Sequence, residues 1–155
     1  MKIIKPEWDR RFMAVARQGA GWTKDRSPRG GVGCVVVGPY QEIRATGYNG
    51  FPRGVDDNVE ERHQRPAKYL WPEHAERNAI FNAARTGTAL DGCTLYVNLH
   101  PCADCARAII QTGIKLVVCT APQLDDAVWG EQFRTAQTML REAAVDVLYG
   151  ESLPS

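Results

Sequence analysis

Two short segments of the sequence carry residue types that bind a metal ion and move protons. In the first, His74 stands two residues before Glu76, and in the second, Cys102 stands three residues before Cys105. One imidazole and two thiolates suit zinc, and three protein ligands leave the fourth tetrahedral position open for water. The pattern therefore predicts a catalytic zinc, whose bound water would have a pKa of about 7.

The expected surroundings favour the charge states that such a site needs. The spacing of Cys102 and Cys105 puts both sulfurs on one face of a helix. Both are predicted in its first turn, where the positive end of the helix dipole stabilises thiolates. Glu76 does not have to bind the metal, because a carboxylate beside an activated water can take its proton and return it to a leaving group.

Each segment also has a simpler interpretation. A lone C-x-x-C at a strand–helix junction can be a thioredoxin-type redox pair, but that leaves His74 and Glu76 without a role. A structural four-cysteine zinc site needs a second C-x-x-C, which the sequence lacks. Taken alone, the residues around His74 could be a solvated helix start. The joint pattern favours the catalytic zinc.

The elements that must position these residues follow from hydrophobic periodicity and from turn residues. Strands are predicted at 32–37, 43–48, 93–99, 115–120 and 145–149, and helices at about 8–18, 74–85, 102–111 and 129–142. The first two strands form a hairpin, whereas the later alternation of strands and helices implies parallel pairing. Residues 50–72 are predicted to be an irregular loop, of a length that is often functional. The expected architecture is a three-layer α/β/α domain with a central mixed five-stranded sheet.

Composition limits the class of protein. The chain has 155 residues, of which 44% are hydrophobic and 24% charged, as in an ordinary globular protein. We expect one domain over residues 1–155. A net charge of +1 argues against an obligate nucleic-acid partner. Neither a signal peptide nor an apolar run of about 20 residues is found, so we expect no membrane association. Five cysteines, an odd number, fit reduced thiols in the cytoplasm.

The two motifs together resemble the zinc-dependent nucleobase deaminases. His74-Ala75-Glu76 and Pro101-Cys102-Ala103-Asp104-Cys105 match their H-x-E…P-C-x-x-C signature. Within the cytidine/deoxycytidylate deaminase superfamily, the chain looks like the deoxycytidylate (dCMP) deaminase branch over roughly residues 8–148. The segments that carry this likeness are 22–27, 32–37, 46–54, 74–80 and 108–114. The resemblance implies a cytidine-deaminase-like fold.

The resemblance also implies a reaction and a set of roles. One zinc per subunit would be held by His74, Cys102 and Cys105, and zinc-bound hydroxide would attack C4 of the cytosine. Glu76 would act as the proton shuttle, so that dCMP is hydrolysed to dUMP and ammonia. The backbone N–H of Ala75 would contact the pyrimidine carbonyl.

Further substrate contacts are expected on loops. Asn49 matches the family's nucleoside-binding asparagine, although an Asn-Gly pair is also a common turn. For the 5′-phosphate, Arg26 is the first choice, with Lys24 and Arg53 behind it, since an arginine fork suits a phosphate. Trp129 is expected either as a stacking lid over the base or as a core aromatic. Tyr69 and Trp71 in the long loop have the same two interpretations, with core packing favoured.

The remaining expectations concern metals, partners and rival activities. No second zinc is predicted, because Cys34, Cys93 and Cys119 lie in apolar strand runs. The family implies a homo-oligomer, a hexamer or a dimer, with dCTP and dTTP as allosteric effectors. The nearest rival is a zinc deaminase of deoxycytidine, dCTP, guanine or another base, followed by a nucleic-acid-editing deaminase. A zinc-stabilised binding module without catalysis is the alternative of another class.

Overall fold

A five-stranded sheet forms the centre of the computed structural model, which describes residues 6–150. Its strands are β1 (Gly33–Val37), β2 (Ile43–Tyr48), β3 (Thr94–Val97), β4 (Leu116–Cys119) and β5 (Asp146–Tyr149). They lie in the order β2-β1-β3-β4-β5, with β1 antiparallel to both of its neighbours and β3, β4 and β5 parallel. The predicted mixed sheet and its opening hairpin are confirmed.

Helices cover both faces of this sheet. The helices are α1 (Pro6–Ala20), α2 (Ala75–Thr86), α3 (Ala103–Gln111) and α4 (Gly130–Glu142). On one face, Phe12 and Ala16 of α1 pack with alternate residues of the strands, such as Tyr96. The other three helices pack on the opposite face through residues such as Ala79 and Leu140. Because both faces are covered, the central strands are buried throughout, and the predicted α/β/α layering is confirmed.

Local boundaries differ from prediction in three places. The first helix continues through Gly19 to Ala20. His74 and Cys102, predicted inside helices, are the N-cap residues of α2 and α3. The segment predicted as an irregular loop contains two short 3-10 helices, Glu60–His63 and Ala67–Tyr69. A single 3-10 turn is too short to give an apolar periodicity, so the sequence carries no signal for it.

Glycine at position 47 allows α2 to lie directly against β2. A Cβ atom there would come within 2.4 Å of the Ala75 carbonyl oxygen and of the Ala79 backbone nitrogen. Any side chain would therefore push the helix away from the strand. This contact sets the start of α2 close to the sheet.

The topology brings the ends of two strands to one edge of the sheet. Both β2 and β3 are antiparallel to β1, which lies between them, so they run in the same direction and their carboxyl ends lie at the same edge of the sheet, on either side of the start of β1. The chain leaves β2 into Asn49 and leaves β3 towards Cys102. Backbone hydrogen bonds between Glu73 and Gly50 attach the start of α2 to the same edge, with N···O distances of 2.8 and 3.1 Å. Within residues 6–150, none of the helices has the length and apolar character needed to cross a membrane.

Candidate active site

His74 lies at the edge of the sheet because it is the N-cap of α2. Its backbone is extended, with φ −76° and ψ 155°, and its carbonyl accepts the first helical hydrogen bond from the Asn78 N–H at 2.9 Å. The preceding residue is tied to Gly50, so the peptide that carries the imidazole is attached on both sides. A short segment of fixed geometry therefore presents this side chain.

The two cysteines come from the start of α3. Cys102 is the N-cap, with φ −76° and ψ 175°, and its carbonyl accepts from the Ala106 N–H at 2.9 Å. Cys105 lies within the first turn, and both side chains are buried. The spacing of three residues thus brings both sulfurs to the end of the helix where N–H groups lack helical acceptors.

The three side chains meet at distances that fit one zinc ion. His74 Nδ1 lies 3.4 Å from the Sγ of Cys102 and 3.5 Å from the Sγ of Cys105. All three candidate ligand atoms lie within 4.8 Å of one another. Zinc bonds of about 2.3 Å to sulfur and about 2.0–2.1 Å to nitrogen give a tetrahedral edge of about 3.6 Å. These residues could therefore hold the metal without rearrangement.

Contacts within this cluster favour the thiolate form of Cys102. The hydrogen bond with Cys105 and the neighbouring imidazole of His74 lower the pKa of Cys102 to about 4, against the effect of burial. The bond to that thiolate, together with burial, raises the pKa of Cys105. Burial alone would lower the pKa of His74, but the bond to Cys102 and the Glu76 carboxylate outweigh it, so the net direction is upward.

Glu76 is buried beside this cluster, in the first turn of α2. Only 3% of the residue is exposed, and burial raises the pKa of its carboxyl, partly offset by the nearby imidazole of His74. A raised pKa lets a carboxyl group both accept and donate a proton near neutral pH. The position is chemically suited to proton transfer next to a metal site.

A cavity of about 330 Å³ opens onto these groups, a size typical of small-molecule sites. Its walls include His74, Ala75, Glu76, Cys102 and Asn49. The spatial grouping of the proposed metal ligands, the carboxylate and Asn49 thus follows from the fold. Their functional roles stay predictions.

Asn49 is one of the buried polar residues of this wall. Its Oδ1 accepts from the Val32 N–H at 2.9 Å, and its Nδ2 donates to an Asp25 carboxylate oxygen at 3.1 Å. These bonds connect the end of β2 to the loop before β1. The side chain therefore faces the cavity as part of a hydrogen-bonded brace.

Trp129 lies on the cavity wall, half-buried. Its ring meets that of His74 edge to face at 5.7 Å and that of Tyr69 at 5.9 Å between centroids. Tyr69 also lines the cavity and is 39% exposed, and Trp71 is 38% exposed with the Arg62 guanidinium over its ring. Core packing, the favoured interpretation of these two loop aromatics, is therefore not what the structure shows, because the loop carries them over the surface.

The structure does not bring Arg26 to the cavity. Its guanidinium pairs with Glu60, and its side chain is 63% exposed. Asp25 and Ser27 on either side of it line the cavity, whereas Arg26 is not among the described residues that do so. The expected phosphate contact of Arg26 is corrected on this geometry.

The two weaker candidates also lie elsewhere. Lys24 pairs with Asp57 at 2.8 Å, and Arg53 donates to the Asn82 amide at 2.7 Å. Neither is among the described residues that line the cavity.

Three other cations line the cavity instead, namely Arg29, Arg65 and Lys68. The first pairs with Asp126, and the third lies 3.9 Å from an Asp25 carboxylate oxygen. Sequence reasoning missed all three, because they lie in the loop before β1 and in the long loop, where no periodicity shows which side chains turn inward. The one signal that the sequence offered for Lys68 as a cavity residue was its position next to the aromatic Tyr69.

Comparison with known proteins places the chain in a family. A family model described as the cytidine and deoxycytidylate deaminase zinc-binding region matches residues 6–121. The chain belongs to this deaminase family. That confirms the resemblance found in the sequence, and with it the expected fold and the general class of a hydrolytic deaminase with a zinc-binding region.

Relatives agree with this assignment. The chain is 39% identical over 145 residues to the uncharacterized deaminase in the luxG 3′ region of Aliivibrio fischeri, which spans 92% of this chain and 93% of that protein. It is 40% identical over 126 residues to human deoxycytidylate deaminase, or 78% of this chain and 68% of the human one. The dCMP deaminase of cyanophage S-TIM5, solved in complex with dCMP and dUMP, superposes with a TM-score of 0.71 at 26% identity, covering 94% and 98% of the two chains.

The other three cysteines lie away from the ligand cluster. Cys34 and Cys119 are in strands, Cys93 directly precedes β3, and all three are buried. Burial raises the pKa of Cys34 well above its ordinary value and raises the pKa of Cys119 to about 12. The prediction of a single zinc stays a prediction.

Proposed function

We propose that this deaminase hydrolyses dCMP to dUMP and ammonia, with His74, Cys102 and Cys105 holding one zinc ion. The observation that carries the proposal is a single cavity with two different walls. One wall has a zinc-type ligand set beside a buried carboxylate, and the other has cations suited to a phosphate. A base deaminase without a nucleotide substrate needs only the first wall.

The proton chemistry belongs to Glu76. Zinc, when bound, makes a hydroxide nucleophile available near neutral pH. Glu76 would take a proton from water and deliver it to N3 of the cytosine, and would then take the proton of the hydroxyl group added at C4 and pass it to the departing amine. Its buried position and the upward direction of its pKa support this double role.

The base and the sugar would lie between α2 and the loop that ends at Trp129. The N–H of Ala75 is in the first turn of α2, where it has no helical acceptor, and Ala75 lines the cavity. This N–H group would donate a hydrogen bond to the pyrimidine carbonyl. Trp129 would cover the base, and Asn49 would contact the sugar hydroxyl with the amide hydrogen that its brace leaves over.

The phosphate would bind at the opposite side of the cavity. Arg65 and Lys68 are in one loop, with Tyr69 beside both, and Arg29 approaches from the segment before β1. We assign the phosphate to these cations in place of Arg26. The human relative, named deoxycytidylate deaminase, and the cyanophage enzyme with dCMP and dUMP support a nucleotide substrate.

A substrate panel tests the proposal. Ammonia release from the purified protein would be measured with dCMP, dCTP, deoxycytidine, cytosine, adenosine and guanine. We expect dCMP to have the highest kcat/KM. Preference for an unphosphorylated substrate would overturn the substrate assignment, and no turnover with any of them would overturn the catalytic one.

One substitution separates a catalyst from a zinc-stabilised binding module. Glu76→Gln should lower kcat by about 10²–10⁴-fold while zinc content stays at the wild-type level, since the residue moves protons without binding the metal. If the variant lost its zinc together with its activity, the assigned role would be contradicted. Full activity would contradict it as well.

Assembly and regulation complete the proposal. Exposed apolar side chains near the outer face of β2 support a homo-oligomer, either a hexamer or a dimer. They belong to Trp22, Tyr48 and Phe81, which are 60%, 40% and 48% exposed, respectively. Light scattering would measure the oligomer size. A single domain over residues 1–155, a cytoplasmic location and control by dCTP and dTTP stay predictions, the last testable by adding each nucleotide to the assay.

A further inference from the structure

A charged bridge joins the starts of the two helices that carry the candidate zinc ligands. Arg77, one residue after Glu76, donates its Nε to a Glu73 carboxylate oxygen at 2.5 Å. Its Nη1 lies 3.2 Å from an Asp104 carboxylate oxygen. Glu73 precedes His74, and Asp104 lies between Cys102 and Cys105. One guanidinium thus connects the residues that flank all three ligands.

The bridge also fixes the backbone of His74. The carboxylate oxygen of Glu73 that receives Arg77 also accepts from the His74 N–H at 3.2 Å. The main chain of Glu73 is paired with Gly50. The peptide plane before the imidazole is therefore held by a side chain on one side and by the sheet edge on the other.

The bridge has the burial and charge that make such contacts effective. The side chains of Arg77 and Glu73 are 22% and 23% exposed, so solvent screens their pairing only in part. The positive ends of α2 and α3 point at the same site and repel each other. Carboxylates at each helix start reduce that repulsion, and the guanidinium between them compensates the added negative charge near the cysteines.

We infer that Arg77, acting through Glu73 and Asp104, is a positioning residue that sets the spacing between His74 and the cysteine pair and so raises the affinity for zinc. The inference rests on the zinc site of the proposed function. It accounts for the charged Glu73 directly in front of His74.

The test compares two arginines that share one carboxylate. Arg77→Met removes the bridge between the helices. Arg107→Met makes the same chemical change at a residue that also pairs with Asp104, but within α3 and with a side chain 57% exposed. The zinc dissociation constant of each full-length protein would be measured by competition with a chromophoric chelator.

We expect Arg77→Met to weaken zinc binding by about 10–100-fold, the usual effect of losing a group that orients metal ligands. Arg107→Met should change it by less than about 2-fold, as for an exposed pair. Arg77→Lys should recover part of the loss, because it restores the charge without the fork. With zinc in excess, Arg77→Met should regain most of its kcat and keep the wild-type KM for dCMP.

Two results would overturn the inference. One is wild-type zinc affinity in Arg77→Met, and the other is an equal loss in both methionine variants. If Arg77→Met does not fold, Asp104→Asn keeps the shape of the bridge, removes its charge and carries the same expectation. A wild-type protein that binds zinc without deaminating dCMP contradicts the proposed function alone, and the affinity comparison still decides the inference. A wild-type protein that binds no zinc contradicts both.

Discussion

The two walls of the cavity are built in different ways. The metal-side wall consists of His74, Glu76 and Cys102, with the buried Cys105 next to Cys102, all at the starts of two helices that pack on the sheet. The phosphate-side wall consists of Arg29, Arg65 and Lys68, on two loops, with Asp126 as the partner of Arg29 and Asp25 as that of Lys68. The first wall is buried and held by helix geometry, whereas the second is partly exposed and held by charge pairs.

The difference shows where rigidity is needed. A metal site tolerates little change in ligand spacing, so its side chains come from regular elements with fixed backbone angles. A phosphate can be bound by several cations in slightly different arrangements, since charge attraction depends weakly on direction. The comparison predicts that damage to the metal-side wall abolishes the chemistry, while damage to the phosphate-side wall changes substrate affinity.

The largest effect is expected from removing a ligand of the metal-side wall. Cys105→Ala should reduce zinc content from about one per chain to nearly none and reduce deamination to background, because two ligands do not complete a catalytic site. Metal analysis and ammonia release measure both. Cys93→Ala removes a buried sulfur outside the cavity and should keep zinc and activity. Full zinc content in Cys105→Ala would refute the assigned ligand set.

Next in size is the loss of the phosphate-side cations. Replacing Arg65 and Lys68 together by Met should raise KM for dCMP by about 10–100-fold, since a hydrogen bond to a charged group contributes about 1.5–3 kcal/mol. The kcat/KM for deoxycytidine should change little, because it has no phosphate. Equal losses with both substrates would show that the two residues hold the loop rather than the phosphate.

A smaller effect on stability tests the packing behind the metal-side wall. Gly47→Ala should lower the free energy of unfolding by about 1–3 kcal/mol, because its Cβ would overlap the backbone of α2. Gly19→Ala is the matched control in α1. There a Cβ meets nothing within 4 Å, so stability should rise by about 0.5–1 kcal/mol. Denaturant unfolding of the two variants gives both values, and a neutral Gly47→Ala would contradict the close approach.

The smallest effect is expected at Arg26, outside both walls. Arg26→Met should change KM for dCMP by less than about 2-fold, as for an exposed ion pair with little net energy. Steady-state kinetics with dCMP and deoxycytidine measure it. A selective rise of KM for dCMP would return the phosphate contact to Arg26 and contradict the orientation of this segment.

The accuracy of the sequence predictions follows the same division. The sheet and its layers were predictable because alternating and 3.6-residue patterns record burial directly. His74 and Cys102 were predictable as neighbours, because only one helix and one strand separate the motifs. Trp129 was left open between lid and core, since an aromatic side chain has no periodicity that separates the two. The position of Arg26 outside the cavity was not predictable, because a cation's place in the sequence does not show which way an irregular segment turns it.

The sequence by itself determined the order of the elements and predicted the ligand set and the nearby carboxylate, because these depend on residue type and on spacings of a few residues. The tertiary structure alone decided which cations face the cavity, where Trp129 and Tyr69 lie, and that Arg77 connects Glu73 with Asp104. Those contacts join residues from separate elements, and their geometry depends on how helices and loops pack on the sheet. Packing is a property of the whole chain, so no local pattern records it.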